Sequence, residues 1–108
     1  VITLTDFQRL EIKAARILEV KPHPSADKLY ILTVDCGAED KRELVAGIRP
    51  YYQPEELLGK QIIVLTNLQP ATIRGIQSNG MLLAVKDEEG KLAILTTDRP
   101  VKEGSPVS

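Results

Sequence analysis

Gln53-Pro54-Glu55-Glu56-Leu57-Leu58-Gly59 carries the signals of one short helix in a chain otherwise patterned as strands. Proline suits the first helical position, because the N–H it lacks is one a helix leaves unpaired there anyway. Acids suit the first turn, where they meet the positive end of the helix dipole. Gly59 suits the stop, since it adopts a positive φ without steric cost. Seven residues allow about two turns at most. The segment is therefore a single small helix, and the chain on both sides of it reads as strands.

Immediately downstream, Gln61 to Leu65 is a continuous apolar strand. Upstream, Leu29 to Cys36 and Arg42 to Ala46 are joined by the turn Gly37-Ala38-Glu39-Asp40, a hairpin pattern. Further upstream, Leu10 to Lys21 reads as a strand with Ile12, Ala14, Leu18 and Val20 on one face and Lys13, Glu19 and Lys21 on the other. Arg16 breaks that alternation, so a bend or bulge near Ala15-Arg16 is expected. Thr5-Asp6-Phe7-Gln8 has the form of a capping box and predicts one short helical turn ahead of the first strand. Pro22 to Asp27 is a loop by its prolines and turn formers. Asn67 to Asn79 has no period and carries Pro70 and Gly75, so it reads as a loop. Met81 to Val85 and Leu92 to Thr96 read as two strands around the turn Asp87-Glu88-Glu89-Gly90. A helix after the third strand and before the fourth is the order of the OB-fold, a five-stranded Greek-key barrel. The expected fold is therefore all-β, one domain over residues 1–108, with the barrel at about 6–96 and a C-terminal extension at 97–108. A small β-sandwich competes but does not call for the helix.

Composition bounds the function. Hydrophobic residues make up 43% of 108, enough for one core, and no apolar run approaches the length of a membrane-spanning helix. No charged-then-apolar leader opens the chain, and the one cysteine, Cys36, has no internal partner, so a cytoplasmic setting is expected. Val1 stands where an initiator Met would, which points to a fragment of a longer protein or to an opening segment not represented. The net charge is -1, yet no acid lies between Leu57 and Lys86, where Lys60, Arg74 and Lys86 do. At the chain's average of 15 acids in 108 residues, about four would be expected in those positions. A locally basic surface and a mostly buried strand region both account for this.

The inventory speaks against catalysis. One His and one Cys fall short of a zinc ligand set. His23, Ser25 and Asp27 share one loop, whereas triad residues converge from separate segments. His23 is instead expected in solvent or capping a turn. Gly75-Ile76-Gln77-Ser78-Asn79-Gly80 has phosphate-loop glycine spacing, but Met81-Leu82 follow where Lys and Ser or Thr are required. Adjacent Glu88 and Glu89 read as a solvated pair. What remains is a polar cluster, Asn67, Arg74, Gln77, Ser78 and Asn79. Such side chains can bind phosphate, 2′-hydroxyls or base edges, or can satisfy backbone groups of an irregular loop.

Several ordered segments then carry a family resemblance. They are His23-Pro24-Ser25-Ala26-Asp27-Lys28-Leu29-Tyr30, Val34-Asp35-Cys36-Gly37, Val45-Ala46-Gly47-Ile48, Asn67-Leu68-Gln69-Pro70 and Arg74-Gly75-Ile76-Gln77-Ser78-Asn79-Gly80-Met81-Leu82-Leu83. From about Asp6 to the end, the chain resembles the tRNA-binding domains at the C-terminus of methionyl-tRNA synthetases. Their relatives are free-standing tRNA-binding proteins, the endothelial-monocyte-activating polypeptide II domain and the start of bacterial phenylalanyl-tRNA synthetase β-subunits. The resemblance implies an OB-fold whose C-terminal additions build a homodimer, and non-catalytic recognition of folded tRNA in aid of an aminoacyl-tRNA synthetase, with no cofactor or metal. It implies Asn67, Arg74 and Ser78 as site residues, with Met81 as pocket wall. Lys28 belongs to the first signature. Gln77 and Asn79 join from the polar cluster, and Lys60, Lys86, Lys13 and Arg16 are candidates for the same face. Two departures stand out. Ala15 replaces the Gly often found at the first-strand bend, and Ala71-Thr72-Ile73 carries no Lys between Pro70 and Arg74. The four aromatics, Phe7, Tyr30, Tyr51 and Tyr52, are few for a single-strand binder that stacks bases. Two other readings share these residues: a chaperone-like, export-related member of the family, and a protein-interaction module that has lost RNA binding. The expected dimer contacts are Val1–Thr5 and Asp98–Val107.

Overall fold

The computed structural model describes all residues, Val1–Ser108. Helix α1 (Leu4–Gln8) precedes β1 (Ile12–Pro22), β2 (Tyr30–Asp35) and β3 (Lys41–Ala46). Helix α2 (Pro54–Leu57) leads into β4 (Gln61–Leu65). The short strands β5 (Ala71–Ile73), β6 (Ile76–Ser78), β7 (Met81–Leu82), β8 (Ala84–Lys86) and β9 (Leu92–Ile94) complete the chain. A five-stranded antiparallel sheet runs in the order β3-β2-β1-β4-β7. It curls until β3 meets the far side, where Asn79 N–H donates to Glu43 O at 3.0 Å and Val45 N–H to Ser78 Oγ at 2.9 Å. The result is a nearly closed OB-type barrel with its helix between the third and fourth strands, as expected.

Inward side chains fill the barrel: Ala15 and Ile17 of β1, Leu32 and Val34 of β2, Leu44 of β3, and Ile62 and Val64 of β4. Leu57 of α2 is fully buried, so this one-turn helix plugs an end of the barrel. At about 25 cal/mol per Å² of apolar surface, each such Leu or Ile contributes roughly 1.5–3 kcal/mol. Pro54 opens α2, and the Glu56 carboxylate accepts the Gln53 N–H at 2.7 Å, as the reading of that segment requires.

Five details differ from the sequence expectation. The capping box is Thr3 and Asp6, each accepting the other's backbone N–H at 3.1 Å, rather than Thr5 and Gln8. Helix α1 closes on Arg9 as its C-cap, so Gln8 falls in the last turn rather than at the N-terminal capping position. The bulge in β1 falls at Leu18, which the register skips between Ile17↔Val34 and Glu19↔Thr33. Leu18 therefore points out, while Ala14 and Ala15 are both buried. At Ala14 the C-terminal segment extends the sheet along the edge of β1 that β2 leaves free: Gly104 N–H donates to Ala14 O at 2.7 Å and Ala14 N–H to Ser105 O at 2.9 Å. Consecutive Ala14 and Ala15 are both buried there, which a one-sided alternation rule does not anticipate. Asn67–Asn79 is not a plain loop, since it contains the β5–β6 hairpin turned at Arg74-Gly75. Met81–Val85 is two strands, because Leu83 N–H pairs to Ile63 O while Ala84 onward pairs with β9. Finally, β9 ends at Ile94 rather than Thr96, whose hydroxyl instead donates to Gln61 O.

Beyond β9 the chain becomes a strap held by side chains. The buried Gln61 amide donates to Val101 O and accepts from Val101 N–H and the Thr97 hydroxyl. Arg16 pairs with Glu103 and also donates to Gly59 O. The strap passes so close to the β2–β3 turn that a Cβ on Gly37 would lie 2.4 Å from Glu103 O. No helix is long and apolar enough to cross a membrane.

Candidate nucleic-acid interface

The acid-free stretch of the sequence becomes the β5–β6 hairpin and its two flanks. Its two-residue turn requires positive φ at both positions, and Arg74 (φ 50°) and Gly75 (φ 87°) supply it. The strands are too short to hold themselves, so side chains from elsewhere fix the hairpin at both ends.

At the base, the buried Ser78 hydroxyl accepts Val45 N–H at 2.9 Å and donates to Gly80 O at 3.0 Å. Arg42 of β3 donates through Nη1 to Thr66 O at 2.6 Å and Asn79 O at 3.1 Å. Its remaining donors meet the Asp40 carboxylate at 3.0–3.2 Å. Those charge-assisted bonds hold the Asp40 carboxyl below the usual carboxylate range and raise the already high value of Arg42.

At the tip, the hairpin docks on the β1–β2 loop. The buried His23 ring is oriented by the Ser25 N–H, which donates to Nδ1 at 3.1 Å. This assigns the ring proton to Nε2, which donates to Ile73 O at 3.2 Å. His23 thus caps a turn, one of its two expected settings, but is not in solvent. Arg74 reaches the same loop, with Nη2 donating to Ser25 O at 2.9 Å and no carboxylate paired to it.

Beside the base lies an open, polar groove of about 870 Å³, lined by Lys41, Arg42, Glu43, Thr66–Pro70 and Asn79. Asn67 lies in it with its amide bridging the start of the barrel: Oδ1 accepts Glu11 N–H at 2.9 Å and Nδ2 donates to Arg9 O at 2.7 Å. The side-chain amides of Asn79 and Gln77 have no partner in the protein. Met81 is exposed at the edge of β7, paired to Leu65. Lys28 is exposed on the β1–β2 loop and forms no ion pair.

Lys13 is bridged to Pro106, and Arg16 is engaged by Glu103, so both belong to the strap. Lys60 sits 5.8 Å from the Tyr52 ring centre and Lys86 5.7 Å from that of Tyr51. Nothing in the motifs singles out Arg42, whose carbonyl partners lie 24 and 37 residues on. Its one visible signal was the Asp40-x-Arg42 spacing, which puts opposite charges on one face where the strand begins.

Comparison with known proteins agrees with this architecture. The chain is 50% identical over 106 residues to a methionine–tRNA ligase of Pyrococcus horikoshii, covering 98% of this chain but 14% of that protein. The chain thus spans about one-seventh of that relative. The crystal structure of a MetRS-related protein from the same organism superposes with a TM-score of 0.93 at 30% identity, covering 100% of this chain and 98% of the other. A CsaA chaperone protein from Picrophilus torridus gives a TM-score of 0.90 at 28% identity with both chains fully covered. With a family match over residues 12–106, the chain belongs to the family described as "Putative tRNA binding domain".

Proposed function

We propose that this domain grips the sugar-phosphate backbone of folded tRNA through the β5–β6 hairpin and the β1–β2 loop, performs no chemistry, and lends that grip to a methionyl-tRNA synthetase in the cytoplasm. The observation that carries the reading is Arg74. It stands at a braced hairpin tip without a carboxylate partner, inside a stretch free of acids. A guanidinium offers five N–H donors, so four remain for phosphate oxygens. The aromatic residues support recognition of shape over base stacking. Tyr30 and Tyr52 face the core, with Tyr30 Oη donating to Tyr52 O at 2.7 Å and Tyr52 Oη accepting Ile94 N–H at 3.1 Å. In this reading Asn67 and Ser78 act by positioning, because their polar atoms are engaged within the fold, and Asn79 and Gln77 are free to reach the ligand.

Two copies would double the contact area on a ligand much larger than this domain. Both segments expected at such an interface border one apolar groove of about 300 Å³, lined by Leu4, Phe7, Leu10, Ile12, Pro106 and Val107. The likeness to CsaA chaperones supports a second reading, in which that groove holds an unfolded chain.

Titration with bulk tRNA at two salt concentrations tests the first reading, with a single-stranded oligomer as comparison. Phosphate contacts release counterions, so affinity should fall steeply between roughly 50 and 200 mM salt. The oligomer should bind far more weakly. No binding of tRNA at the lower salt would overturn the reading.

A further inference from the structure

The β1–β2 loop receives two arginines, not one. Arg74 donates to Ser25 O at 2.9 Å, and Arg49, from the segment after β3, donates through Nη1 to the next carbonyl, Ala26 O, at 3.3 Å. Neither guanidinium is paired to a carboxylate; the ion pairs of the molecule are Arg16–Glu103, Lys21–Glu19, Arg42–Asp40 and Arg99–Asp98. The shallow depression beside Arg49 is lined by Pro22, Tyr30, Gln53 and Pro54 and contains no acid. Lys28 extends from the same loop, and Asp27 is the loop's single carboxylate. Arg49, Arg74 and Lys28 are thus gathered on a loop with one carboxylate of its own, and Glu56, next to the Arg49 depression through Gln53, is engaged by the Gln53 N–H, although the whole chain carries a net charge of -1.

Two guanidiniums held on consecutive carbonyls of one loop concentrate positive charge there, which favours an anion beside them. The loop that gathers them is rigid: His23 N–H donates to Leu29 O at 3.0 Å, Leu29 N–H to Ala26 O at 3.3 Å, and Ser25 N–H to the His23 ring. A rigid frame holding like charges together is preorganised for a polyanion, since the cost of assembling them is met on folding rather than on binding. We propose that Arg49 is a second phosphate-contacting residue, paired with Arg74 across the β1–β2 loop, so that the two arginines take neighbouring phosphates of the same tRNA strand. This rests on the reading of the domain as a tRNA binder. Arg49 arrives from outside the acid-free stretch, which is why charge patterning along the chain does not single it out.

The test compares the tRNA affinity of the native chain with Arg49→Ala, Arg49→Gln and Arg74→Ala from roughly 50 to 200 mM salt, with thermal unfolding to confirm that each variant folds. Gln removes the charge while keeping an N–H donor on a shorter side chain, and the salt slope, which bracing of the loop would not move, separates phosphate contact from bracing. Both Arg49 variants should bind about tenfold more weakly at low salt, and the slope of log affinity against log salt should shrink by roughly one. Native affinity in Arg49→Gln, or weaker binding with an unchanged slope, would overturn the assignment of Arg49 and leave the tRNA reading standing on the native chain and Arg74→Ala. A native chain that fails to bind tRNA at low salt would overturn both.

Discussion

Arg42 shows how much one side chain can hold in a barrel this small. It ties β3 to the end of β4 and to the base of the hairpin through two backbone carbonyls, with its other donors on Asp40. Arg42→Ala removes these charge-assisted bonds and should cost about 1–3 kcal/mol in urea unfolding at neutral pH. The pH dependence has a definite sign. A carboxyl held low in the folded state stabilises the fold above its ordinary value near 4, and that contribution is lost as pH falls through the lower folded-state value. Unfolding free energy should therefore drop less steeply with acid in Arg42→Ala than in the native chain; equal slopes would show that the pair is not coupled to folding. Little of this was legible beforehand. The charge spacing of Asp40 and Arg42 could be read from the chain, whereas Thr66 and Asn79 come within reach only when the barrel closes.

At the scale of elements, legibility followed length and local chemistry. Helix α2 was readable because its proline, acids and glycine each act within one turn. The β5–β6 hairpin was not, because strands of three residues are too short to show a period of two. Its turn nevertheless depends on local geometry. A Cβ on Gly75 meets nothing within 4 Å, so Gly75→Ala carries only the penalty of its φ of +87°. That penalty should be about 1–2 kcal/mol, against less for Gly75→Asn, which tolerates the left-handed region better. Hydrogen exchange at Ile73 and Ile76, the hydrogen-bonded pair that flanks the turn, should accelerate in the same order, Ala above Asn above native. Identical rates would mean that the latches at His23 and Ser78 fix the hairpin without help from its turn. The displaced bulge in β1 has a different cause: alternation assumes one buried face, whereas consecutive Ala14 and Ala15 are both buried.

For the whole molecule, the open question is what covers the apolar ground between α1, the start of β1 and the end of the strap. Val1, Ile2, Leu4, Leu10 and Val107 are all exposed there. If a second copy lies on it, Leu10→Asp should leave the fold intact and convert a dimer to monomer in sedimentation at micromolar concentration. A native chain that is already monomeric would count against the dimer. The fold class, the succession of strands around one small helix, the core strands β2, β3 and β4, and the polar segment Asn67 to Asn79 are all legible along the chain. They follow from local periodicity, turn chemistry and ordered motifs, all of which lie within a few residues of one another. Which of those polar side chains brace the barrel and which are left free is settled by the folded structure. It alone placed Lys13 and Arg16 with the strap, and brought Arg49 and Arg74 to consecutive carbonyls of one loop. Those outcomes depend on contacts between residues tens of positions apart, and closure of the barrel, not any local preference, sets them.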